Sequence, residues 1–282
     1  MLRKMLYVVR NEIISLLHKP KILLIVASII FMIDSVAKPM KDLSLELGYK
    51  LNVAEPFLFI TSKGLNIVII PLIFIAILSD FPSSENSGYF SMIRNGRMIW
   101  YWGEVVFSFV TSFLYVLIIF LSTAVYCADN SYIGDYWSDY TLKTYKEYPD
   151  IFLYGTTFLD TSVYTQGTPI KILIQALILL MLYTFIIIQI MLFFKIIGKK
   201  SLGIITAIGL TFVGMPSYAT TSKIRWIFPV THTAYNWHFN EFFSEPYCRL
   251  STSYIYFSVL IILLVSVNML LVKRVRIGAN YD

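Results

Sequence analysis

The sequence has few charged residues, few cysteines and few histidines. Of its 282 residues 14% are charged, two are cysteine and three are histidine. A soluble domain carries about 25% charged residues, so the composition excludes an ordinary soluble enzyme. Cys127 and Cys248 are too few for a disulfide scaffold, and their spacing matches no zinc or redox motif. With so few histidines, a membrane enzyme that needs clustered catalytic side chains at one leaflet is also disfavoured.

A complete nucleotide-binding loop is missing as well. Gly198-Lys-Lys-Ser201 resembles the end of a phosphate-binding loop, but the glycine required five positions before Gly198 is absent, because position 193 is Phe193. We therefore expect no ATP hydrolysis, no catalytic residue and no cofactor in this chain. His232 and His238 lack a third ligand nearby in the sequence, so no metal site is expected either.

Apolar residues make up 57% of the chain and fall into six runs bounded by charge. A membrane core about 30 Å thick requires roughly 20 apolar residues in a helix. The runs are apolar on every face, which excludes the alternating pattern of barrel strands. The sequence predicts an all-α integral membrane protein with one transmembrane domain over 1–282. The predicted spans are Ile22 to about Ala37, Phe57–Leu78, Val105–Tyr126, Ile170–Phe194, Leu202 to about Ala219, and Tyr254–Val272.

Lysine and arginine cluster in alternate connections, within residues 3–21, 94–97, 195–200 and 273–276. Because short cytoplasmic loops are enriched in these residues, both termini are predicted to be cytoplasmic. The net charge of +6 then reflects membrane orientation, and a nucleic-acid partner is not expected. The predicted location is a bacterial plasma membrane, crossed several times.

Residues 1–20 precede the first span and show helical periodicity. Leu2, Leu6, Val9 and Ile13 recur at spacings of three and four, which predicts an amphipathic helix on the membrane surface. A basic tail without fixed structure is the alternative.

The sequence predicts a short cytoplasmic helix over residues 80–97, between the second and third spans. Asp80 and Pro82 suit its start, and Asn95-Gly96 suits its end. Its apolar side chains exceed what a solvated loop displays, so we expect them to fill a groove on another protein. A segment that packs only on its own bundle is the alternative. The residues predicted to make this contact are Glu85, Gly88, Tyr89, Phe90, Ile93, Arg94 and Arg97.

This layout resembles the membrane subunit of an ABC-2-type transporter, the permease of a bacterial ABC exporter. The resemblance rests on the amphipathic first helix, the six spans and a Glu-x-x-Gly…Arg-x-x-Arg segment, which is followed by Gly103-Glu104. The matching residues are Glu85, Gly88, Arg94 and Arg97. The resemblance implies that residues 80–97 are a coupling helix that docks on a separate ATPase subunit, where ATP and Mg²⁺ bind. It also implies that two permeases assemble. The chain departs from the family in placing its largest outer loop between spans three and four.

Two ionisable residues lie inside predicted spans. Asp34 and Lys63 are predicted to pair near the outer leaflet, or else each extends to the membrane surface independently. Four polar residues are candidates either for lining a translocation path or for hydrogen bonding between helices: Asn66, Gln175, Gln189 and Thr206.

Two outer segments complete the prediction. The loop 127–169 is rich in acidic and aromatic residues, which suits a cationic amphipathic ligand or a simple cap on the bundle. The sequence predicts an outer hairpin over residues 220–253. Cys127 and Cys248 both fall on the outer side, where either a disulfide or two free thiols is compatible with the sequence.

The predicted function is that of a permease subunit in an ATP-driven exporter, which works as a dimer and moves an amphipathic peptide or a hydrophobic antibiotic. Two alternatives are a secondary transporter driven by an ion gradient and a membrane protein for immunity to, or sensing of, antimicrobial peptides.

Overall fold

The computed structural model describes residues 1–82, 90, 92–147, 158–214, 223–239 and 246–274. Eleven labelled helices dominate this part of the chain, with short 3-10 turns between several of them. They are α1 (Leu2–Leu17), α2 (Leu23–Met32), α3 (Lys38–Glu46), α4 (Glu55–Ser62), α5 (Gly64–Ile77), α6 (Arg97–Tyr126), α7 (Asp139–Glu147), α8 (Thr161–Tyr164), α9 (Pro169–Ile196), α10 (Lys200–Val213) and α11 (Leu250–Arg274). Two short parallel strands, β1 (Leu51–Asn52) and β2 (Ser131–Tyr132), pair Leu51 with Ser131.

In the part of the chain that the structure describes, four helical stretches are long and apolar enough to cross a membrane, so the protein is a multi-pass membrane protein. They are Pro20–Glu46, Arg97–Tyr126, Pro169–Ile196 and Leu250–Arg274. These confirm four of the predicted spans. The first is longer than predicted, because a π-helical turn at Ile33–Ala37 joins α2 to α3 without interrupting the helix.

The second predicted span is not a straight helix. α4 and α5 meet at Lys63 with a bend of 91°, and together they count as a fifth span if both belong to one crossing. Pro71, a residue type that commonly kinks helices, lies within α5, whereas the break falls at Lys63, whose backbone is extended. The carbonyl oxygen of Ser62 accepts a hydrogen bond from Asn236 Nδ2 at 3.1 Å. An external donor therefore satisfies a backbone group that a continuous helix would have bonded internally.

The fifth predicted run forms α10, which has only 14 residues. At 1.5 Å per residue this helix is about 21 Å long, less than the roughly 30 Å of the hydrocarbon core. The predicted end near Ala219 lies outside the described residues.

α9 is the central helix, with α11, α10 and α6 packed around it. Its side chains Leu179, Tyr183 and Leu192 belong to the buried core. α1 packs along α6. The two ends of this bundle carry different residues.

We call the end that carries α1, residues 78–82, residues 92–97 and the start of α10 the basic end. Lys21 and Lys200 meet Asp80 there, and Arg97 Nη1 donates to the Lys273 carbonyl oxygen at 3.2 Å. We call the other end the capped end, because residues 47–55, 127–144, 158–168 and 223–239 cover the helix termini. Contacts between these segments include Asn52 with Gly134 and Asn236 with Asp160.

Candidate functional site

Asp80 is the charged centre of the basic end. Its carboxylate lies 2.8 Å from Lys21 Nζ, 3.6 Å from Lys200 Nζ and 3.9 Å from Lys19 Nζ. The hydrogen bond from Lys21 and the nearby lysine charges lower the pKa of Asp80. One carboxylate thus joins the link after α1, the end of α5 and the start of α10.

The segment predicted to couple to an ATPase is described in part. Glu85, Gly88 and Tyr89 lie outside the described residues. Phe90 and Ile93 are 69% and 51% exposed, while Met92 beside them is buried. Phe90 and Ile93 therefore present large apolar side chains to the surroundings at the basic end, where the sequence predicts that they contact another protein.

The predicted helix over 80–97 ends before Arg97. Residues 92–95 are helical, and Gly96 has a φ of +86°, a conformation that glycine adopts readily. Arg97 is the first residue of α6. Its guanidinium donates a hydrogen bond to the Lys273 carbonyl oxygen at the end of α11. This places Arg97 in a membrane-spanning helix instead of the short segment.

Arg94 links the short segment to α1. Its guanidinium lies 5.6 Å from the centre of the Tyr7 ring, a cation–π distance. A hydrogen bond with Asn11 and the Arg94 charge lower the pKa of the Tyr7 hydroxyl. A cavity of about 300 Å³ opens between the two elements, lined by Arg3, Lys4, Tyr7, Arg94 and Asn95. We call this cavity together with the exposed Phe90 and Ile93 the basic-end surface.

The contact of α1 with α6 depends on a glycine. A Cβ atom at Gly103 would lie 2.7 Å from Val8 Cβ, so any larger residue displaces α1. Glu104 follows it and is fully buried, and within the described part of the chain neither of its carboxyl oxygens has a hydrogen-bond partner. Glu12 of α1 is also buried and interacts electrostatically with Glu104. Sequence reasoning placed Gly103-Glu104 at the start of a span but missed this interhelical carboxyl pair.

The predicted pairing of Asp34 with Lys63 is wrong. Asp34 is exposed and meets Lys38, one turn along its own helix, at 3.8 Å. Among the residues that the structure describes, no ion pair joins Asp34 to Lys63. Asp34 faces outward from the first span, whereas Lys63 is half-buried at the α4–α5 break.

Lys63 has different neighbours at that break. Its ammonium group lies 4.5 Å from the centre of the Phe59 ring, and the negative charge of Asp160 attracts it. Asn236 Nδ2 donates to Asp160 Oδ2 at 2.8 Å and also to the Ser62 carbonyl oxygen. Three segments that are distant in sequence thus converge where the helix breaks.

The four candidate pathway residues lie on three helices, with Asn66 on α5, Gln175 and Gln189 on α9, and Thr206 on α10. Asn66 and Gln189 are buried, and Gln175 and Thr206 are partly buried. Asn268 Nδ2 donates to the Gln189 carbonyl oxygen at 3.1 Å and contacts its Oε1 at 3.4 Å. For Gln189 the structure therefore shows the alternative role, a polar contact between α9 and α11.

Glu55 holds the capped end together. Its buried carboxylate accepts hydrogen bonds from the Asn52 backbone N–H at 2.9 Å, the Ser138 backbone N–H at 2.9 Å and the Ser138 hydroxyl at 2.7 Å. The Asn52 side chain donates to the carbonyl oxygens of Gly134 and Tyr136. Part of the loop 127–169 is thus clamped onto the start of α4.

The same loop contributes an aromatic cavity of about 300 Å³. Its walls come from Gly48, Tyr49, Lys50, Tyr132, Tyr136, Trp137 and Asp139. The rings of Tyr132 and Tyr136 stack at 4.8 Å. The acid-and-aromatic surface predicted for this loop is therefore built in part as a cap and in part as a small open cavity.

Both cysteines are free thiols. Cys127 is buried beneath the cap, with its Sγ 3.9 Å from the Ala37 carbonyl oxygen. Of the two possibilities that the sequence left open, the structure has the unbridged pair.

Residues 223–239 form three 3-10 turns, and Phe239 pairs with Pro246 in an antiparallel bridge. Both histidines of this segment point to one hydroxyl group, that of Ser253 in α11. Sequence reasoning weighed these histidines only as metal ligands. Among the described residues no group of three or more histidine, cysteine or acidic side chains is arranged to hold a metal. The serine comes from another helix, so no local sequence signal reveals the cluster.

Comparison with family models, with curated proteins and with solved structures gave no match.

Proposed function

We propose that the chain is the membrane-spanning permease subunit of an ATP-driven exporter, with its basic end in the cytoplasm. The basic-end surface is the observation that carries this proposal. Phe90 and Ile93 are exposed beside Arg94, and the segment is attached to α1 through Tyr7. Exposed apolar residues beside cations are typical of a surface that binds another protein.

The attachment of this surface to the bundle suits the transmission of force. Arg97 ties the start of α6 to the end of α11, and Asp80 ties the end of α5 to α10 and to the residues after α1. A partner that displaced residues 90–97 would therefore move several helices together. The enrichment of lysine and arginine at this end supports its cytoplasmic orientation.

In this proposal, ATP and Mg²⁺ bind to a separate ATPase, and a second permease assembles beside this one. The proposed cargo is an amphipathic peptide or a hydrophobic antibiotic, consistent with the aromatic cavity at the capped end.

A photo-crosslinking amino acid at position 90 tests the docking surface directly. We expect Phe90 to crosslink to a protein that contains a phosphate-binding loop, which mass spectrometry of the adduct identifies. Ile133 is the matched control, because it is an exposed apolar residue at the capped end. An ATPase adduct at position 133 equal to that at position 90, or none at position 90, contradicts the proposal.

Purified complex provides a second test. Arg94→Ala is expected to lower substrate-stimulated ATP hydrolysis by the complex by about tenfold, the effect of losing about 1.4 kcal/mol of interface free energy. Lys38→Ala removes an exposed cation from the other end and is expected to leave the rate unchanged.

One observation favours a second candidate, a transporter driven by an ion gradient. The broken α4–α5 pair, with Lys63, Asp160 and Asn236 at the break, resembles the discontinuous helices that bind ions and substrates in secondary transporters. Transport in ATP-free vesicles that stops when a protonophore collapses the gradient would support this candidate and contradict the first.

A further inference from the structure

The cluster formed by His232, Ser253 and His238 is buried where residues 223–239 pack on α11. His232 Nδ1 and His238 Nε2 each lie 2.7 Å from the same Ser253 Oγ. The other ring nitrogens face backbone carbonyl oxygens: His232 Nε2 lies 2.8 Å from that of Trp226, and His238 Nδ1 lies 2.9 Å from that of Ala234. The two imidazoles are thus bridged by one hydroxyl group and anchored by two carbonyl groups.

The tautomers follow from these partners. A carbonyl oxygen only accepts hydrogen bonds, so His232 carries its proton on Nε2 and His238 carries its proton on Nδ1. In the neutral state both nitrogens that face Ser253 are therefore acceptors. The serine hydroxyl has one hydrogen and can donate it to only one of them.

The proton count of the neutral cluster is consequently one short. Four hydrogen bonds require four hydrogens, whereas two neutral imidazoles and one hydroxyl supply three. One added proton completes the network: the protonated histidine donates to Ser253 Oγ, which donates to the other histidine. A second added proton would leave the serine hydroxyl facing two ring donors, so that its own hydrogen would no longer have a ring nitrogen as acceptor.

The surroundings oppose the charge that this proton brings. Burial lowers the pKa of His232, and burial lowers that of His238 to about 4 despite its hydrogen bond to Ala234. Arg225 adds a repulsive charge near His238. Other titratable groups also lie around the cluster. Tyr256 stacks on His232 at 4.2 Å, Cys248 lies near Ser253, and Tyr247 lies beside Arg225. Farther out, Tyr183 lies near Tyr256, and Asn236 bonds Asp160, whose charge acts on Lys63.

We propose that His232, Ser253 and His238 form a binding site for a single proton, which the two histidines share through the serine hydroxyl. A proton from solvent adds to one ring nitrogen, and the cluster gains one positive charge. Transfer of the hydroxyl hydrogen to the second histidine, with return of the first histidine's proton to Oγ, exchanges the charged ring without any net loss. The site is filled under acidic conditions, because burial favours the neutral rings at neutral pH.

The position of the site gives the proton a structural consequence. Asn236 lies on the segment between the two histidines and bonds Ser62 and Asp160 at the α4–α5 break. Completing the histidine network fastens this segment to α11, and thereby steadies the contacts that Asn236 makes at the break. The proton site stands whether an ATPase or an ion gradient drives the protein.

Nuclear magnetic resonance of the full-length protein in lipid nanodiscs, with ¹⁵N- and ¹³C-labelled histidine, tests the site. The chain has three histidines, and exposed His18 at the end of α1 supplies the third set of signals. At neutral pH we expect the Nε2-protonated tautomer for His232 and the Nδ1-protonated tautomer for His238. On acidification both should shift together in one step that corresponds to one proton. This measurement requires no variant.

Ser253→Ala removes the bridge, and Ser258→Ala on the exposed face of the same helix is the control. A hydrogen bond to a charged group corresponds to about a 10- to 100-fold change in proton affinity, so the Ser253→Ala step should fall by about one to two pH units and split into separate steps. Hydrogen exchange at residues 229–238, corrected for the intrinsic pH dependence, should slow when the proton binds in the parent protein and in Ser258→Ala only. The opposite tautomers, two independent steps in the parent protein, or a titration unchanged by Ser253→Ala would each overturn the proposal.

Discussion

The two ends of the bundle are held together by different forces. At the capped end, buried side chains such as Glu55 and Asn52 bond backbone groups of distant loops. At the basic end, partly exposed lysines gather around Asp80, while Phe90 and Ile93 remain uncovered. Buried hydrogen-bond networks fix one arrangement, whereas exposed ion pairs are weak and easily exchanged. The contrast is between an end fixed by buried hydrogen bonds and an end that carries exposed apolar and charged groups.

Removing the clamp at the capped end should have the largest effect. Glu55→Ala leaves the Asn52 and Ser138 amides buried without acceptors, so we expect the free energy of unfolding to fall by about 3 kcal/mol or more. Denaturant titration in detergent micelles measures it. Exposed Glu46→Ala is the control and should change stability little; equal effects of the two substitutions would show that the capped end is not held by Glu55.

Gly103→Ala should loosen the basic end. The added methyl group meets Val8 at 2.7 Å, and overpacking of this kind costs about 1–3 kcal/mol. We expect α1 to be displaced, and faster proteolytic cleavage before residue 18 measures this displacement. Gly209→Ala in α10 meets no atom within 4 Å and is expected to be neutral or slightly stabilising. If both substitutions are tolerated alike, the close approach of α1 to α6 is incorrect.

Asp80→Ala should cost about 1 kcal/mol, the range for partly exposed ion pairs, and less at high salt. Since the folded-state pKa of Asp80 is lowered, its contribution is present above the unfolded-state pKa of about 4 and is lost as pH falls through the folded value. The stability difference between the parent protein and Asp80→Ala should therefore vanish in acid. Exposed Asp42→Ala serves as the control, and a difference that grows with acidification would contradict the assignment.

Asp34→Ala should have the smallest effect, below about 0.5 kcal/mol, because it removes only an exposed pair with Lys38. Exchanging charges through Asp34→Lys with Lys63→Asp should restore nothing that Lys63→Asp alone loses. Recovery of stability in the double variant would reinstate the pairing that the sequence suggested.

The spans that could be predicted are those whose apolar runs are uninterrupted. Pro169–Ile196 and Leu250–Arg274 match their predicted runs within about four residues at each end, since composition and length suffice to identify such helices. The break at Lys63 could not be predicted, because it depends on Asn236, 173 positions further along, which satisfies the Ser62 carbonyl oxygen. Proline was the visible local signal, and Pro71 sits inside a continuing helix.

The candidate sites divide in the same way. Exposure of Phe90 and Ile93 was predictable from apolar residues placed in a short polar connection. The histidine–serine cluster and the Glu12–Glu104 pair were not, because each joins side chains from elements far apart in sequence. Periodicity carries no information about which helix supplies the second partner.

The sequence by itself determined that the chain is helical and embedded in a membrane, because apolar runs of span length have no other stable environment. It also determined that the cations gather at alternate connections. Only the tertiary structure decided where the second span breaks, which carboxyl groups are buried and which histidines share a hydroxyl. Those outcomes depend on backbone and side-chain groups that lose water together, and a linear pattern does not record which groups meet.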